Sequence, residues 1–448
     1  MKSTRRQFLK QAGAASAGAL AFPYIVPSSA LGKDGAVAPS ERVVMGWIGT
    51  GGQGRGLMNI FMGYPEVQVV AACDVDERHL ANGVGQANEK YGNEDCQGFS
   101  DFREMLTNKD IDAVTVATPD HWHALASVAA LNAGKDVYCE KPLANSIGEG
   151  RAIADAVKKN NRVLQTGSME RSNPLCRQAC ELVRAGAIGK LHTIHIHLPD
   201  EEGHLNHAKQ TKDSGTEQPV PPEFNWDMWL GHTPKIPFTR PQQPTFGGFP
   251  PFPHFWWRFV LTFGGGEMTD RGAHVIDIAQ MGAGTDETGP VEVEAKGRQV
   301  AGSVYTSFWD YTFTNTFANG VKMVGSTATP RGLKFEGDAG WIFCEIHGGA
   351  LSASDPKILE QKVEEKFSLG RAPNNDHRRQ FVDAIKSRQQ PYANAEVGHR
   401  SASICHLNNI AMTLGRKLKW DPEKEQFVGD DEANKLLTPQ MRAPWSLA

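Results

Sequence analysis

A six-residue element after a short apolar segment has the glycine spacing of a phosphate-binding loop. Residues 42–48 read RVVMGWI, which is typical of a β-strand, and residues 49–54 read GTGGQG, a G-x-G-x-x-G element that precedes a predicted helix over 55–62. Such glycines permit a tight turn, contact of backbone N–H groups with a pyrophosphate, and close packing of helix on strand. The element predicts a dinucleotide-binding loop. The residues expected at the cofactor are Gly49, Gly51, Gln53 and Gly54.

A carboxylate at the end of the next predicted strand indicates which dinucleotide is bound. Residues 67–73 (VQVVAAC) are β-like, and Asp74 follows them, twenty residues after Gly54. A carboxylate there accepts hydrogen bonds from an adenosine ribose and repels a 2′-phosphate, so NAD is favoured over NADP. Because the chain contains 46 glycines, an ordinary α/β domain with a glycine turn and a surface aspartate is the alternative.

The third predicted strand also ends in polar residues. Residues 111–117 (IDAVTVA) are apolar enough for a parallel strand buried on both faces, and TPDHWH follows at 118–123. Ligands of doubly wound sheets bind at the carboxyl ends of the strands. We therefore expect Thr118, Pro119 and His123 to line the dinucleotide.

A lysine follows the fourth predicted strand, residues 136–139 (DVYC), in the tripeptide EKP at 140–142. An ammonium group beside a nicotinamide ring can polarise a substrate oxygen, which makes Lys141 a candidate for the reaction site. A solvated lysine at a strand end is the alternative for this residue taken alone.

A glycine run precedes an acid and a histidine later in the chain. Residues 264–277 read GGGEMTDRGAHVID, so Asp270 and His274 are four residues apart. Residues at this spacing share one helix face, and both side chains can point into one cleft. A surface pair on a helix is the alternative.

The surrounding patterns predict two domains of different architecture. Strands alternate with helices as far as Gly167, which is typical of a Rossmann fold. From residue 190 the strands are longer, and Asn319-Gly320 indicates a hairpin, so a second domain with a large, mostly antiparallel sheet is expected. Two amphipathic helices are predicted from residue 376 and over 397–418. The predicted divisions are 1–30, 40–167, 168–430 and a polar tail at 431–448.

The first thirty residues resemble an export signal. Residues 3–10 read STRRQFLK, a twin-arginine element, and the uncharged stretch 11–32 is rich in Ala and Gly and contains two prolines. These features predict twin-arginine export to the periplasm with cleavage before Leu31. A retained membrane anchor is the alternative, although a spanning helix needs about 20 strongly apolar residues.

Charge and cysteine content exclude other classes of protein. Without the four cations of the first thirty residues, 43 basic and 51 acidic residues remain, a net charge of −8 that argues against a nucleic-acid partner. Seven cysteines without a C-x-x-C pair indicate neither a disulfide framework nor a zinc signature.

The order of these motifs resembles the Gfo/Idh/MocA family of glucose-fructose oxidoreductases and inositol dehydrogenases. The resemblance runs from about Val43 to the C-terminus. It implies that Lys141 lies at the nicotinamide with a cis bond to Pro142, that Glu140 belongs to the cofactor site, and that His274 accepts the hydroxyl proton while Asp270 orients it. It also implies a homodimer or homotetramer formed through the open face of the second sheet.

Two arginines are candidates for substrate binding. Arg171 lies in GSMERSNP, roughly where the family has an N-x-R-x-x-P-like element, although the usual asparagine is missing. Arg258 follows Phe255-Trp256-Trp257, which could offer aromatic faces to a sugar ring or form an apolar core. His195 and His197 share one strand face near the acids at 200–202, so a metal site is conceivable, but a polar cleft rim is the default expectation.

Three functions remain open at this point. An exported enzyme meets almost no free NAD, so the cofactor must stay bound. The first hypothesis is an oxidoreductase that moves hydride between a sugar or cyclic-polyol carbinol and bound NAD, then returns it to a second carbonyl compound. The second is a redox-neutral glycosidase that acts through a transient keto-sugar, and the third is a sugar-binding protein without turnover.

Overall fold

The computed structural model describes residues 37–200, 202–211, 217–239, 253–347 and 349–447. The chain divides into two compact units, Met1–Arg42 and Val43–Ala448. In the first unit the described part contains a 3-10 helix at Pro39–Glu41. The predicted export signal at 1–30 and Glu201 lie outside the described residues. No helix of the described chain has the length and apolar character that crossing a membrane requires.

The N-terminal part of the second unit forms a parallel sheet of six strands. These are β1 Val43–Ile48, β2 Val67–Cys73, β3 Gln97–Phe99, β4 Ala113–Val116, β5 Asp136–Cys139 and β6 Leu164–Thr166. Their order is β3-β2-β1-β4-β5-β6, and every pairing is parallel. The strand order runs outward in opposite directions from β1 and from β4. At such a switch point the connections leave on opposite sides of the sheet, and a crevice opens at the carboxyl ends of the two strands. The sheet confirms the predicted Rossmann-type fold.

Five helices connect these strands. They are α1 Gly52–Phe61, α2 Glu77–Tyr91, α3 Phe102–Met105, α4 His123–Asn132 and α5 Ile147–Asn160. Helix α1 begins three residues earlier than predicted, inside the glycine loop. Its buried side chains Leu57, Met58 and Phe61 pack in one cluster with Trp47 of β1. This packing directs the N-terminus of α1 toward the crevice.

The C-terminal part forms a sheet of nine strands. These are β7 Leu191–His197, β8 Glu292–Arg298, β9 Trp309–Thr316, β10 Lys322–Ser326, β11 Gly332–Gly337, β12 Gly340–Glu345, β13 Leu351–Ala353, β14 Leu418–Asp421 and β15 Gln426–Phe427. Their order is β13-β12-β11-β7-β10-β9-β8-β14-β15. In the described part of this sheet β7 and β10 pair in parallel and the other neighbouring strands are antiparallel, which confirms a mostly antiparallel sheet. The predicted hairpin joins β9 to β10, with Gly320 at φ 86°.

The C-terminal part of the described chain also contains eight helices. They are α6 Pro174–Arg184, α7 His204–Gln210, α8 Trp226–Leu230, α9 Glu267–Asp270, α10 Gly272–Ala283, α11 His377–Ser387, α12 Ala395–Leu414 and α13 Asp431–Asn434. The prediction of an amphipathic helix from residue 397 was wrong in one respect, because α12 is buried on nearly all sides. It contacts α5, which belongs to the Rossmann-type part of the chain, and also α10 and β8 of the C-terminal part. Gly415, at φ 64°, ends it before residue 418.

The last residues also pack against the protein. The Trp445 ring meets the Trp122 ring edge to face at 4.9 Å, and the Gly148 amide donates to the carbonyl of Leu437. Since Val43–Ala448 forms one compact unit, the predicted divisions at 167/168 and 430/431 stay predictions.

Candidate active site

A cavity of about 390 Å³ opens at the carboxyl ends of β1 and β4. It is lined by residues from the glycine loop, from the ends of the parallel strands and from the second domain. The predicted residues that line it are Gly49, Gly51, Gln53, Asp74, Thr118, Pro119, His123, Glu140, Lys141, Arg258, Asp270 and His274. Gly54 and Arg171 are not among its lining residues.

The glycine loop is shaped by two close approaches of backbone. Gly49 has φ 90°, and a Cβ on it would lie 2.6 Å from the Ala117 carbonyl oxygen, which is closer than a Cβ atom can approach without a clash. A Cβ on Gly54 would overlap the carbonyl oxygen of Gly49. Gly54 therefore serves the packing of α1 on the loop, whereas Gly51, Gly52 and Gln53 face the cavity. No side chain caps the N-terminus of α1, so its first N–H groups are available to an anion.

Asp74 is held at the end of β2 by hydrogen bonds to its carboxylate. Oδ2 accepts from the Thr50 amide at 2.7 Å and from the Thr50 hydroxyl at 3.1 Å. Oδ1 accepts from the Asp76 amide at 3.0 Å. These bonds fix the carboxylate beside the glycine loop, where it faces the cavity.

His123 joins the ends of two strands. Its Nδ1 lies 2.7 Å from the Pro142 carbonyl oxygen and its Nε2 lies 3.0 Å from the Thr118 carbonyl oxygen. Burial lowers the pKa of His123 to about 4. The neutral ring has one N–H and donates to one of the two carbonyls, and it lies between the segment after β4 and the segment that carries Lys141.

Glu140 is connected to the glycine loop. Its Oε1 accepts from Gln53 Nε2 at 3.1 Å, and its Oε2 accepts from the Lys141 amide at 3.3 Å. Glu140 therefore links the glycine loop after β1 to the segment after β5 that carries Lys141.

Lys141 and Asp270 form an ion pair across the cavity. Lys141 Nζ donates to Asp270 Oδ1 at 2.6 Å and to the Asp270 carbonyl oxygen at 3.0 Å. The Lys141-Pro142 bond is cis. Burial would raise the pKa of Asp270, but the charges of Lys141 and Arg258 outweigh it and hold the pKa well below its usual value. The carboxylate is therefore ionised at neutral pH.

His274 lies in the first turn of α10, one turn beyond Asp270. The predicted single helix is interrupted at Arg271, which ends α9 and precedes α10, yet both side chains face the cavity. Burial lowers the pKa of His274 well below its usual value, and the nearby Lys141 charge lowers it further. Its buried Nδ1 has no hydrogen-bond partner in the described part of the chain. The neutral ring can accept a proton.

Asp120 and His347 are among the cavity residues that the sequence analysis did not predict. Asp120 follows Pro119 in a 3-10 helix, and burial raises the pKa of its carboxyl well above the usual value despite the Lys141 charge. Asp120 could have been predicted as a cavity residue, because it follows the carboxyl end of β4. His347 follows β12, and its ring centroid lies 4.7 Å from that of His274. No local motif marks His347, because only the pairing of distant strands brings it to the cavity.

The two candidate substrate arginines have different surroundings. Arg171 Nε donates to Asp277 Oδ2 at 2.7 Å, and its Nη2 donates to Asp286 Oδ1 at 2.6 Å. Its side chain is 5% exposed and Asp277 is fully buried, so the guanidinium is used in an internal ion pair outside the cavity. Arg258 does line the cavity, with its guanidinium 4.5 Å from the Trp257 ring centroid and Nε 3.9 Å from Asp270 Oδ1.

The histidines between residues 192 and 207 lie in two separate places. His195, on β7, pairs with Glu336 at 2.6 Å. His204, on α7, has Nδ1 2.8 Å from Glu267 Oε1 and Nε2 3.2 Å from Glu202 Oε2. Asp200 lies close enough to His204 and Glu267 for one ion to reach all three. Asp200 already accepts the His204 amide at 2.8 Å, which favours a polar network at this position.

Comparisons with curated proteins match the chain to sugar and polyol enzymes. The chain is 36% identical to inositol 2-dehydrogenase of Rubrobacter xylanophilus over 152 residues. The alignment covers 34% of this chain and 42% of that protein. A levoglucosan dehydrogenase of Pseudarthrobacter phenanthrenivorans is 39% identical over 114 residues, 24% of this chain and 29% of the relative. A glycosyl hydrolase family 109 protein of Shewanella pealeana is 29% identical over 212 residues, 43% and 45% of the two chains. The aligned region thus spans less than half the length of each relative.

Comparison with solved structures concerns the fold. A levoglucosan dehydrogenase in complex with NADH and levoglucosan superposes with a TM-score of 0.57 at 20% identity, covering 84% of this chain and 99% of that one. An aldose-aldose oxidoreductase from Caulobacter crescentus gives the same TM-score of 0.57 and the same 20% identity over 84% and 99% of the chains.

Family models match both domains. Residues 43–168 match the NAD-binding Rossmann fold of an oxidoreductase family, and residues 176–447 match the C-terminal alpha/beta domain of the same family. The chain belongs to the Gfo/Idh/MocA family of oxidoreductases, whose NAD-binding domain it carries.

Proposed function

We propose that the protein is an exported oxidoreductase that moves hydride between a secondary carbinol of a sugar or cyclic polyol and a tightly held NAD. The observation that carries the proposal is one cavity that contains the glycine loop, the Asp74 carboxylate, the Lys141–Asp270 ion pair and the neutral His274. The relatives named as inositol and levoglucosan dehydrogenases support the substrate class.

The residues present fit NAD. The uncapped N-terminus of α1 suits a pyrophosphate, since backbone N–H groups and the helix dipole both favour an anion. Asp74 can accept the hydroxyl groups of an adenosine ribose, and its charge would repel the extra phosphate of NADP. When bound, the nicotinamide ring supplies the hydride acceptor.

The chain's own groups handle the proton and the charge on oxygen. His274 is neutral, so one ring nitrogen can accept the proton of the substrate hydroxyl. The Lys141 ammonium can donate a hydrogen bond to the same oxygen and stabilise negative charge that develops there. Asp270 holds Lys141 by the 2.6 Å contact and keeps the ammonium group in the cavity.

A redox-neutral reaction is the second candidate. The likeness to a glycosyl hydrolase family 109 protein, over 43% of this chain, favours it. In that scheme a transient ketone acidifies the neighbouring C–H bond, the aglycone is eliminated as an alcohol, water adds to the resulting C=C bond, and the hydride returns to the carbonyl carbon. The same three residues serve its oxidation step. A sugar-binding protein without turnover is the third candidate, in which hydride transfer would not occur.

Location and assembly complete the proposal. The twin-arginine element at 3–10 supports export of the folded protein through the twin-arginine machinery to the periplasm. The family resemblance supports a homodimer or homotetramer. Bound NAD would then be regenerated by a second carbonyl compound rather than exchanged with a pool.

One experiment separates the three candidates. The purified native protein is denatured and the released nicotinamide is identified and counted. Intact protein is then mixed with sugars, cyclic polyols and aryl glycosides while bound NADH absorbance and aglycone release are followed. Stoichiometric NAD that stays reduced until a carbonyl acceptor is added supports the oxidoreductase. Aglycone release without net reduction supports the glycosidase, and bound NAD that no substrate reduces supports the binding protein.

A further inference from the structure

A second histidine lies against the proposed base. His347 lines the same cavity as His274, and the two rings meet with centroids 4.7 Å apart and planes at 75°. The His274 Nδ1 is buried and has no hydrogen-bond partner in the described part of the chain. No hydrogen bond at Nδ1 therefore sets the orientation of the His274 ring, and packing against its neighbours must do so.

The His347 ring is held from both sides. Its Nε2 lies 3.4 Å from Glu170 Oε1, and its Nδ1 lies 3.4 Å from Arg331 Nη1. A guanidinium can only donate, so Nδ1 is the acceptor and the hydrogen of the neutral ring is on Nε2, the nitrogen nearer to Glu170. Glu170 is 5% exposed and Arg331 11% exposed, so neither partner moves freely. A ring with different partners on its two nitrogens resists a flip.

The backbone at this position is also unusual. His347 has φ 64°, in the left-handed region that residues with a Cβ rarely adopt. Residues held in such conformations cluster at functional sites. Glu170, Arg331 and His347 come from three separate places: the 3-10 helix Met169–Ser172, the start of the strand β11 region and the end of β12.

We propose that His347 is a positioning residue for the reaction site: it fixes the ring of His274 in the orientation that accepts the substrate proton. The inference rests on the proposed hydride-transfer function. His347 acts through the contact between its ring and the ring of His274. Glu170 and Arg331 hold the His347 ring in place by their contacts with its two nitrogens. Because proton transfer needs a hydrogen bond of the right geometry, loss of this contact lowers the rate of the chemical step without weakening NAD binding.

The test uses full-length, NAD-loaded protein with three variants. His347→Asn removes the ring while its amide side chain tolerates the left-handed backbone. His347→Phe keeps a ring edge or face for His274 and removes both nitrogens. His192→Asn is the control, because His192 is an exposed histidine outside the cavity. Bound-NAD reduction is followed in single turnovers over a range of concentrations of the polyol or sugar that wild type oxidises.

We expect His347→Asn to lower the maximal reduction rate about 100-fold, with the half-saturating substrate concentration and the NAD content unchanged. His347→Phe should recover at least a tenth of the wild-type rate, and the control should match wild type. A wild-type rate in His347→Asn overturns the inference. A raised half-saturating concentration at an unchanged maximal rate also overturns it, because that result assigns His347 to substrate binding instead.

Crystal structures of the NAD-loaded variants give a readout that needs no turnover. The His274 ring should keep one orientation in wild type and rotate or split into two orientations in His347→Asn. An unchanged single orientation contradicts the inference. If no sugar or polyol reduces the wild-type NAD, the proposed function fails, while the crystallographic result still decides the role of His347.

Discussion

Lys141 Nζ lies 2.6 Å from Asp270 Oδ1, which joins the end of β5 in the parallel sheet to the end of α9 in the second domain. The ammonium also donates to the Asp270 backbone carbonyl at 3.0 Å. Both side chains are less than a fifth exposed, at 16% and 18%. A cation is thus held in a partly buried cavity by a residue one helical turn before His274, and the proposed chemistry depends on this arrangement.

Replacement of Lys141 should slow hydride transfer strongly. Among Lys141, Asp270 and His274, the lysine is the one cation that can stabilise negative charge on the substrate oxygen, so in Lys141→Ala the rate of bound-NAD reduction should fall at least about 100-fold. The measurement is single-turnover absorbance of NADH in protein with a counted NAD content. Lys158→Ala is the control, since Lys158 pairs with Glu396 at 3.5 Å but is 67% exposed. Full activity in Lys141→Ala would remove the lysine from the mechanism.

The pH dependence should follow His274. Its pKa lies well below 6.5 because of burial and the Lys141 charge, so the ring stays neutral and able to accept a proton through pH 6.5 and somewhat below. The rate should therefore hold on acidification through pH 6.5 and fall only at lower pH, when the ring becomes protonated. In His274→Gln the remaining rate should be low and should lack this acid limb. A limb centred at or above pH 6.5 in wild type would contradict the assignment.

Asp74 should control the retention and the choice of cofactor. Asp74→Asn keeps the shape and an acceptor for Thr50 but removes the charge. A hydrogen bond to a charged group contributes about 1.5–3 kcal/mol, so NAD retention should weaken tenfold or more and discrimination against NADP should fall. Nucleotide released on denaturation after dialysis, and competition between NAD and NADP, measure the two effects. Unchanged retention and selectivity would refute the ribose role.

Arg171 should matter for stability rather than for substrate binding. Arg171→Met leaves Asp277 buried without its cation, which costs about 3–5 kcal/mol for a buried pair. Urea unfolding gives this number, and NAD content and the half-saturating substrate concentration are measured on the folded fraction. Arg298→Met is the matched control, because Arg298 and Asp310 are each 49% exposed and a surface pair contributes about 0–1 kcal/mol. A raised half-saturating concentration at normal stability would return Arg171 to the substrate site.

Local patterns in the sequence determined the parallel sheet, the glycine loop and the residues proposed to carry the reaction. Strand ends are readable because apolar runs stop abruptly at polar residues, and parallel strands bring their carboxyl ends to one edge. Asp74, Thr118 and Lys141 were found in this way. The chemistry of Asp270 and His274 was also readable, since a four-residue spacing survives the interruption at Arg271.

Only the tertiary structure decided which charged side chains face the cavity and which are used in buried ion pairs. Arg171 and Arg258 look alike in sequence, but Arg171 meets two carboxylates in the core and Arg258 faces the cavity. His347 reaches His274 only because β12 pairs with β11 and ends beside α10, a contact between residues 73 positions apart. Burial and long-range pairing depend on how whole layers pack, and no short window of sequence encodes them. The sequence therefore determined the inventory of reactive groups, and packing decided which of them share one site.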